Sequence, residues 1–151
     1  MRPLIISLVL AGLAVAPRAA TGQDGDVPET WLGTWVLDVP RSTYAAAPPY
    51  KRAVYRIERM AGGFRVVYDM VHPRGGTTHL EWTGRMDGRD YPLQGVDQAI
   101  TYAYTSTGGD SCDIVVKIDG RVAARSHVTV SENGRTMSTQ TGGTTTVYER
   151  Q

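Results

Sequence analysis

The side chains best suited to chemistry are few and scattered: three histidines (His72, His79 and His127), a single cysteine (Cys112) and carboxylates such as Asp69 and Glu81. His72 and His79 flank the turn Pro73-Arg74-Gly75-Gly76, so a hairpin there would bring the two imidazoles near each other. Zinc needs three or four ligands with orienting partners, and neither a second histidine pair nor an adjacent cysteine is supplied. No metal and no other cofactor is therefore expected. Cys112 stands in an alternating apolar run and reads as a small buried hydrophobe rather than a reactive thiol. Asp69 and Glu81 alternate onto the polar side of their segments, where solvation accounts for them. The chain has no Gly-x-Ser-x-Gly elbow, phosphate loop or dinucleotide fingerprint, and its Gly-Gly pairs fall where turns already require them. The expectation is a protein that binds and is not an enzyme.

What remains with chemical character is aromatic. Tyr55, Phe64, Tyr68, Trp82, Tyr102 and Tyr104 all take the apolar parity of alternating segments. Rings that carry polar tips suit a flat or amphipathic guest, which makes these six the candidate ligand-binding residues. The same six would fill a narrow eight-stranded barrel and leave no cavity. Both outcomes stand at the level of sequence.

The elements that must position these rings follow a leader. Arg2 precedes an apolar run from Leu4 to Ala16 and then a small-residue segment, so residues 1–22 read as a signal peptide, with cleavage after Gly22. That run falls short of the roughly 20 apolar residues of a membrane span, so no stable span is expected once the leader is removed. The mature chain, 23–151, should be one exported domain, periplasmic or extracellular. With Lys+Arg 16 against Asp+Glu 15 and basic residues dispersed as in Lys51-Arg52, nucleic acid is not an expected partner.

After the leader, Val27 to Leu32 should make a short helical turn that leads into Gly33 and a first strand, Thr34 to Leu37. Asp38 to Tyr50 carries three prolines and is expected as a long surface loop. From Lys51 onward the pattern repeats strand, glycine turn, strand: 51–59, 64–71, 77–86, 99–106, 111–118, 121–130, 136–141 and 144–150. Asp119-Gly120 and Asn133-Gly134 are strong hairpin signals. Residues 90–97 read as a bridging piece, because Pro92 lacks the N–H that a central strand position needs. Val122, Ala124, Val128 and Val130 share the apolar side of their strand. One apolar face on a sequential meander is best buried by closure, which removes both sheet edges. The fold class expected is all-β, an up-and-down antiparallel barrel of about eight to ten strands, with a Greek-key sandwich as the competing arrangement.

Trp31-Leu32-Gly33-Thr34-Trp35 and the closing Val147-Tyr148-Glu149-Arg150 together resemble the lipocalin and calycin-like barrels. Gly33-Thr34-Trp35-Val36-Leu37-Asp38, Asp87-Gly88-Arg89-Asp90-Tyr91-Pro92 and Tyr148-Glu149-Arg150-Gln151 look closest to uncharacterised secreted bacterial lipocalin-like proteins. The Thr-Asp-Tyr motif and the disulfide pair common in eukaryotic lipocalins are missing, which keeps the resemblance at the level of the superfamily. It implies that Gly33 and Trp35 open the barrel, and that Arg150 packs on the Trp35 ring at the closed end. It also implies that 38–50 forms a lid at the open end. Two functions follow as expectations: a carrier of a small lipophilic molecule, or an extracytoplasmic interaction module with a filled core. Tyr44, Tyr50 and Tyr91 in loops support the second, whose protein partner the sequence does not name.

Overall fold

The computed structural model describes residues 26–151; the expected leader at 1–22 lies outside the described residues. Ten strands form a closed antiparallel ring, β1(Gly33–Thr43), β2(Arg52–Met60), β3(Gly63–Val71), β4(Thr77–Gly84), β5(Tyr91–Gln94), β6(Ile100–Gly108), β7(Ser111–Ile118), β8(Arg121–Val130), β9(Thr136–Thr141) and β10(Thr144–Arg150). Every strand pairs with its neighbours in sequence, and β1 pairs with β10 to close the ring, so the up-and-down barrel is realised and the sandwich is not. Among the described residues no helix is long and apolar enough to cross a membrane.

The lower end holds the 26–32 segment, the turns at 61–62, 85–90, 109–110 and 131–135, and Arg150. A 3-10 turn, Glu29–Trp31, folds under this end and is tied to the β6–β7 turn. Thr30 Oγ1 donates to Asp110 Oδ1 at 2.5 Å, and Trp31 Nε1 donates to the Asp110 carbonyl at 3.2 Å. The largest fully buried side chains, Trp31, Trp35, Trp82, Phe64 and Cys112, lie towards this end. Burial pushes the Cys112 thiol up to about 12, so it is protonated and apolar at neutral pH.

Three expectations are corrected. The first strand does not stop at Leu37 but runs to Thr43, leaving only 44–51 as loop. Its register with β10 passes from Asp38↔Val147 to Thr43↔Thr145, so residues 39–42 bulge opposite Thr146. The Ser42 hydroxyl bridges the bulge around Pro40: Ser42 Oγ donates to the Asp38 carbonyl at 2.7 Å, and the Val147 N–H donates to Ser42 Oγ at 2.9 Å. Residues 91–94 form a true strand of the ring despite Pro92. β5 survives because each of its ladders holds only two residue pairs, and because Trp82 Nε1 donates to the carbonyls of Tyr91 and Tyr102 at 3.2 and 3.3 Å. Val122, expected inside, is exposed. The register shift from Val116↔Ala124 to Lys117↔Val122 inserts an extra residue on β8 and reverses the side to which Val122 points.

Outside the barrel, β2, β3 and β4 carry a ladder of alternating charge. Arg56 donates to Asp69 at 2.9 Å, His79 Nδ1 lies 2.6 Å from Asp69 Oδ1 and His79 Nε2 lies 3.1 Å from Glu81 Oε1. Arg65 completes it by donating to Glu81 at 2.7 Å. Val67 faces outward beneath these side chains and is still only 3% exposed, because their aliphatic stems cover it. His72 turns elsewhere, its Nε2 lying 2.8 Å from Thr78 Oγ1, so the two histidines do not converge on one site.

Both ring nitrogens of His79 face carboxylates, which accept only, so both bonds form only with the imidazolium. The hydrogen bond to Asp69, then that to Glu81, raises the His79 pKa, while hydrogen bonding lowers Asp69 (from His79) and Glu81 (from Arg65 first). The histidine contribution to stability is complete below its unfolded value, about 6.5, and is lost as pH rises through the raised folded value. The carboxylate contribution is complete above about pH 4 and is lost on acidification. His79→Gln should therefore lower the melting temperature most between about pH 4.5 and 6.5, with the gap to wild type closing at higher pH. Paired thermal melts at pH 5.5 and pH 9 read this out; a gap that widened at high pH would contradict the ladder.

Candidate functional site

The barrel is packed below and hollow above. A cavity of about 230 Å³ lies over Trp31 and under the 44–51 loop. Of the six candidate rings, Tyr55, Tyr68, Tyr102 and Tyr104 line it. Phe64 and Trp82 do not: both are fully buried beneath Tyr104, with ring centroids 5.3 and 4.5 Å from it, and they back the wall instead of forming it. A barrel filled throughout is thus excluded, and the physical reason is strand number. Ten strands enclose a wider bore than eight, so rings that would plug the narrower barrel leave space in this one.

The wall has two chemical sides. On one side the tyrosines pair through their hydroxyls, Tyr68 with Tyr104 at 2.7 Å and Tyr55 with Tyr148 at 3.0 Å. Tyr55 also stacks on Tyr148, ring centroids 4.7 Å apart, and meets Tyr68 edge-on at the same separation. On the other side Ser126, Thr139, Thr141 and Thr146 present small hydroxyls from β8, β9 and β10, with Ser126 and Thr141 bonded to each other at 2.6 Å. Burial raises the Tyr55, Tyr68 and Tyr104 pKa values well above that of a free phenol, so these groups are neutral.

Tyr148, Tyr44, Tyr50 and the hydroxyl stripe escape the sequence reading. Parity would have found several of them: Ser126 shares the face of Val128, and Thr146 and Tyr148 share that of Arg150. Tyr44 and Tyr50 sit in a loop, where alternation gives no direction, yet both turn inward and line the cavity. Tyr50 also packs on His72, ring centroids 5.3 Å apart. Tyr91 does not line the cavity: half-buried at the lower rim, it packs edge-on to Trp82 at 5.7 Å, with its hydroxyl donating to exposed Asp87 at 2.8 Å.

The lower end is closed by the residues around Gly33. That glycine has φ +129°, a backbone few L-residues adopt, as the chain swings from the 3-10 turn into β1. Trp35 pairs with Arg150 across β1 and β10, and its Nε1 donates to the Trp31 carbonyl at 2.8 Å. The Arg150 guanidinium lies 5.2 Å from the Trp35 ring centroid and donates to the carbonyls of Thr30, at 3.2 Å, and Leu32. The arginine thus stacks on the indole and fixes the 3-10 turn beneath the cavity floor.

Compared with family models, curated proteins and solved structures, the chain matches none.

Proposed function

We propose that the chain is an exported, lipocalin-like carrier that holds one small lipophilic or amphipathic molecule inside its barrel. The observation that carries this is the cavity of about 230 Å³ walled by tyrosines on one side and small hydroxyls on the other. At the packing density of a protein interior, ~0.74, such a space takes a molecule of roughly a dozen non-hydrogen atoms. A guest of that size binds with about −6 to −8 kcal/mol, a micromolar Kd. Gly33 and Trp35 on β1 after a short helical turn, with Arg150 over the indole, support the lipocalin-like assignment.

Binding rather than catalysis is favoured because the cavity lining offers phenols, hydroxyls and hydrocarbon, with no carboxylate, imidazole or thiol among its residues. Of the three tyrosines that favoured an interaction module, Tyr44 and Tyr50 line the cavity. Export is supported by Arg2, the apolar run from Leu4 to Ala16 and the small residues that follow. N-terminal sequencing of protein from its own host should begin at Gln23, and retention of Met1 would refute export.

Because Trp31 lines the cavity, binding is readable by intrinsic fluorescence. Titration with naphthalene-sized and monoterpene-sized compounds should give saturable changes at micromolar concentration, and native mass spectrometry should find a small molecule co-purifying. Flat titrations together with an apo mass would remove the carrier reading.

A further inference from the structure

The hydroxyl oxygen of Tyr44 is buried, and among the described residues it has no hydrogen-bond partner. Burying a phenol hydroxyl without a bond is unfavourable, so its position calls for a reason. Tyr44 belongs to the cavity lining, and the next residue anchors the lid, the Ala45 N–H donating to Thr144 Oγ1 at 3.1 Å on the rim of β10. The hydroxyl is therefore held at the cavity roof.

Tyr44 is not the only group of the lining with a proton to give. Each tyrosine pair holds two O–H protons and uses one between its members, so Tyr55/Tyr148 and Tyr68/Tyr104 each retain a spare donor. Ser126/Thr141 retains another in the same way. A carbonyl oxygen, with two lone pairs, can accept the Tyr44 proton and one of these spare protons together. No lysine, arginine or histidine lines the cavity, so an anionic guest would meet no counter-charge. The wall tyrosines report the same environment, since their burial disfavours the phenolate.

Building on the carrier reading above, we propose that Tyr44 orients the guest by donating a hydrogen bond to the carbonyl oxygen of a flat, uncharged molecule, and that the cavity rejects the carboxylate of the same shape.

Three probes of nearly equal size separate the elements of this proposal: 2-acetylnaphthalene, 2-ethylnaphthalene and 2-naphthoate, titrated at pH 7.5 into wild type and Tyr44→Phe. Wild type should bind the ketone at micromolar Kd and the carboxylate at least ~100-fold more weakly, an unpaired buried charge being the penalty. Tyr44→Phe should weaken the ketone roughly fivefold, the loss of one neutral hydrogen bond, and leave the ethyl compound unchanged. Without ligand the variant should melt at or above the wild-type temperature, because the deleted hydroxyl has no partner in the protein. Naphthoate binding as tightly as the ketone, or a variant that treats ketone and ethyl compound as wild type does, overturns the proposal and leaves the carrier reading standing. Failure of all three probes to bind wild type overturns the proposal, and together with an apo mass it removes the carrier reading as well.

Discussion

Trp35→Ala should lower the free energy of unfolding by about 3–5 kcal/mol, the usual result of emptying a large aromatic site in a core. The ring is fully buried, and its removal takes three things at once. It leaves a void at the closed end, leaves the Trp31 carbonyl without the indole N–H it accepts at 2.8 Å, and takes from Arg150 the face on which it stacks. Since Arg150 also donates to the carbonyls of Thr30 and Leu32, the loss reaches the 3-10 turn that carries Trp31. For a barrel of this size each kcal/mol corresponds to about 3–5 °C, so the melt should fall by roughly 10–20 °C. The effect should extend to ligand binding, because Trp31 forms part of the cavity wall. A circular dichroism melt within about 3 °C of wild type would contradict the plug placement, since a loss under ~1 kcal/mol is too small for a buried indole.

Gly63→Ala should be nearly as damaging, about 2–4 kcal/mol, although it adds a single methyl group. A Cβ at this position would lie 2.1 Å from the Gly84 carbonyl oxygen, and backbone cannot move aside as a flexible side chain can. Gly84 itself is confined, since a Cβ there would lie 2.6 Å from both Trp82 and Tyr91. The first residues of β3 and the last of β4, side by side in the sheet with Phe64 opposite Gly84, thus crowd each other at the packed end of the barrel. Gly62→Ala is the control. Its Cβ would meet nothing within 4 Å, and the cost comes only from φ +76°, about 1 kcal/mol. Chemical denaturation of the two variants should separate them clearly, and equal midpoints would mean that the strand approach is not tight.

Those two glycines mark where sequence reading ends. Ala61-Gly62-Gly63 reads as one turn, and both residues look like suppliers of positive φ. Only Gly62 has that backbone; Gly63 begins a strand and is small because another strand lies against it. Turn chemistry is local and shows in adjacent letters, whereas close approach depends on a residue more than twenty positions away. Pro40 and Pro92 repeat the lesson in the opposite direction. Each lacks the N–H of a ladder bond, and each sits in a stretch of the ring held by a group farther along the chain, Val147 through Ser42 for one and Trp82 for the other.

Alternation and glycine turns determined the class of this protein: a run of two-faced strands in sequence order has one apolar side to hide, and closing the sheet hides it with no edge left over. They also placed Tyr55, Tyr68, Tyr102 and Tyr104 on the inside, because the period of two is a property of the strand itself. Only the tertiary structure decided that the inside is hollow above and solid below. The bore depends on ten strands closing together, and the level of each ring depends on inter-strand register, which no single segment encodes. The inward turn of Tyr44 was decided there as well, because a loop has no period and takes its direction from the rim on which it rests.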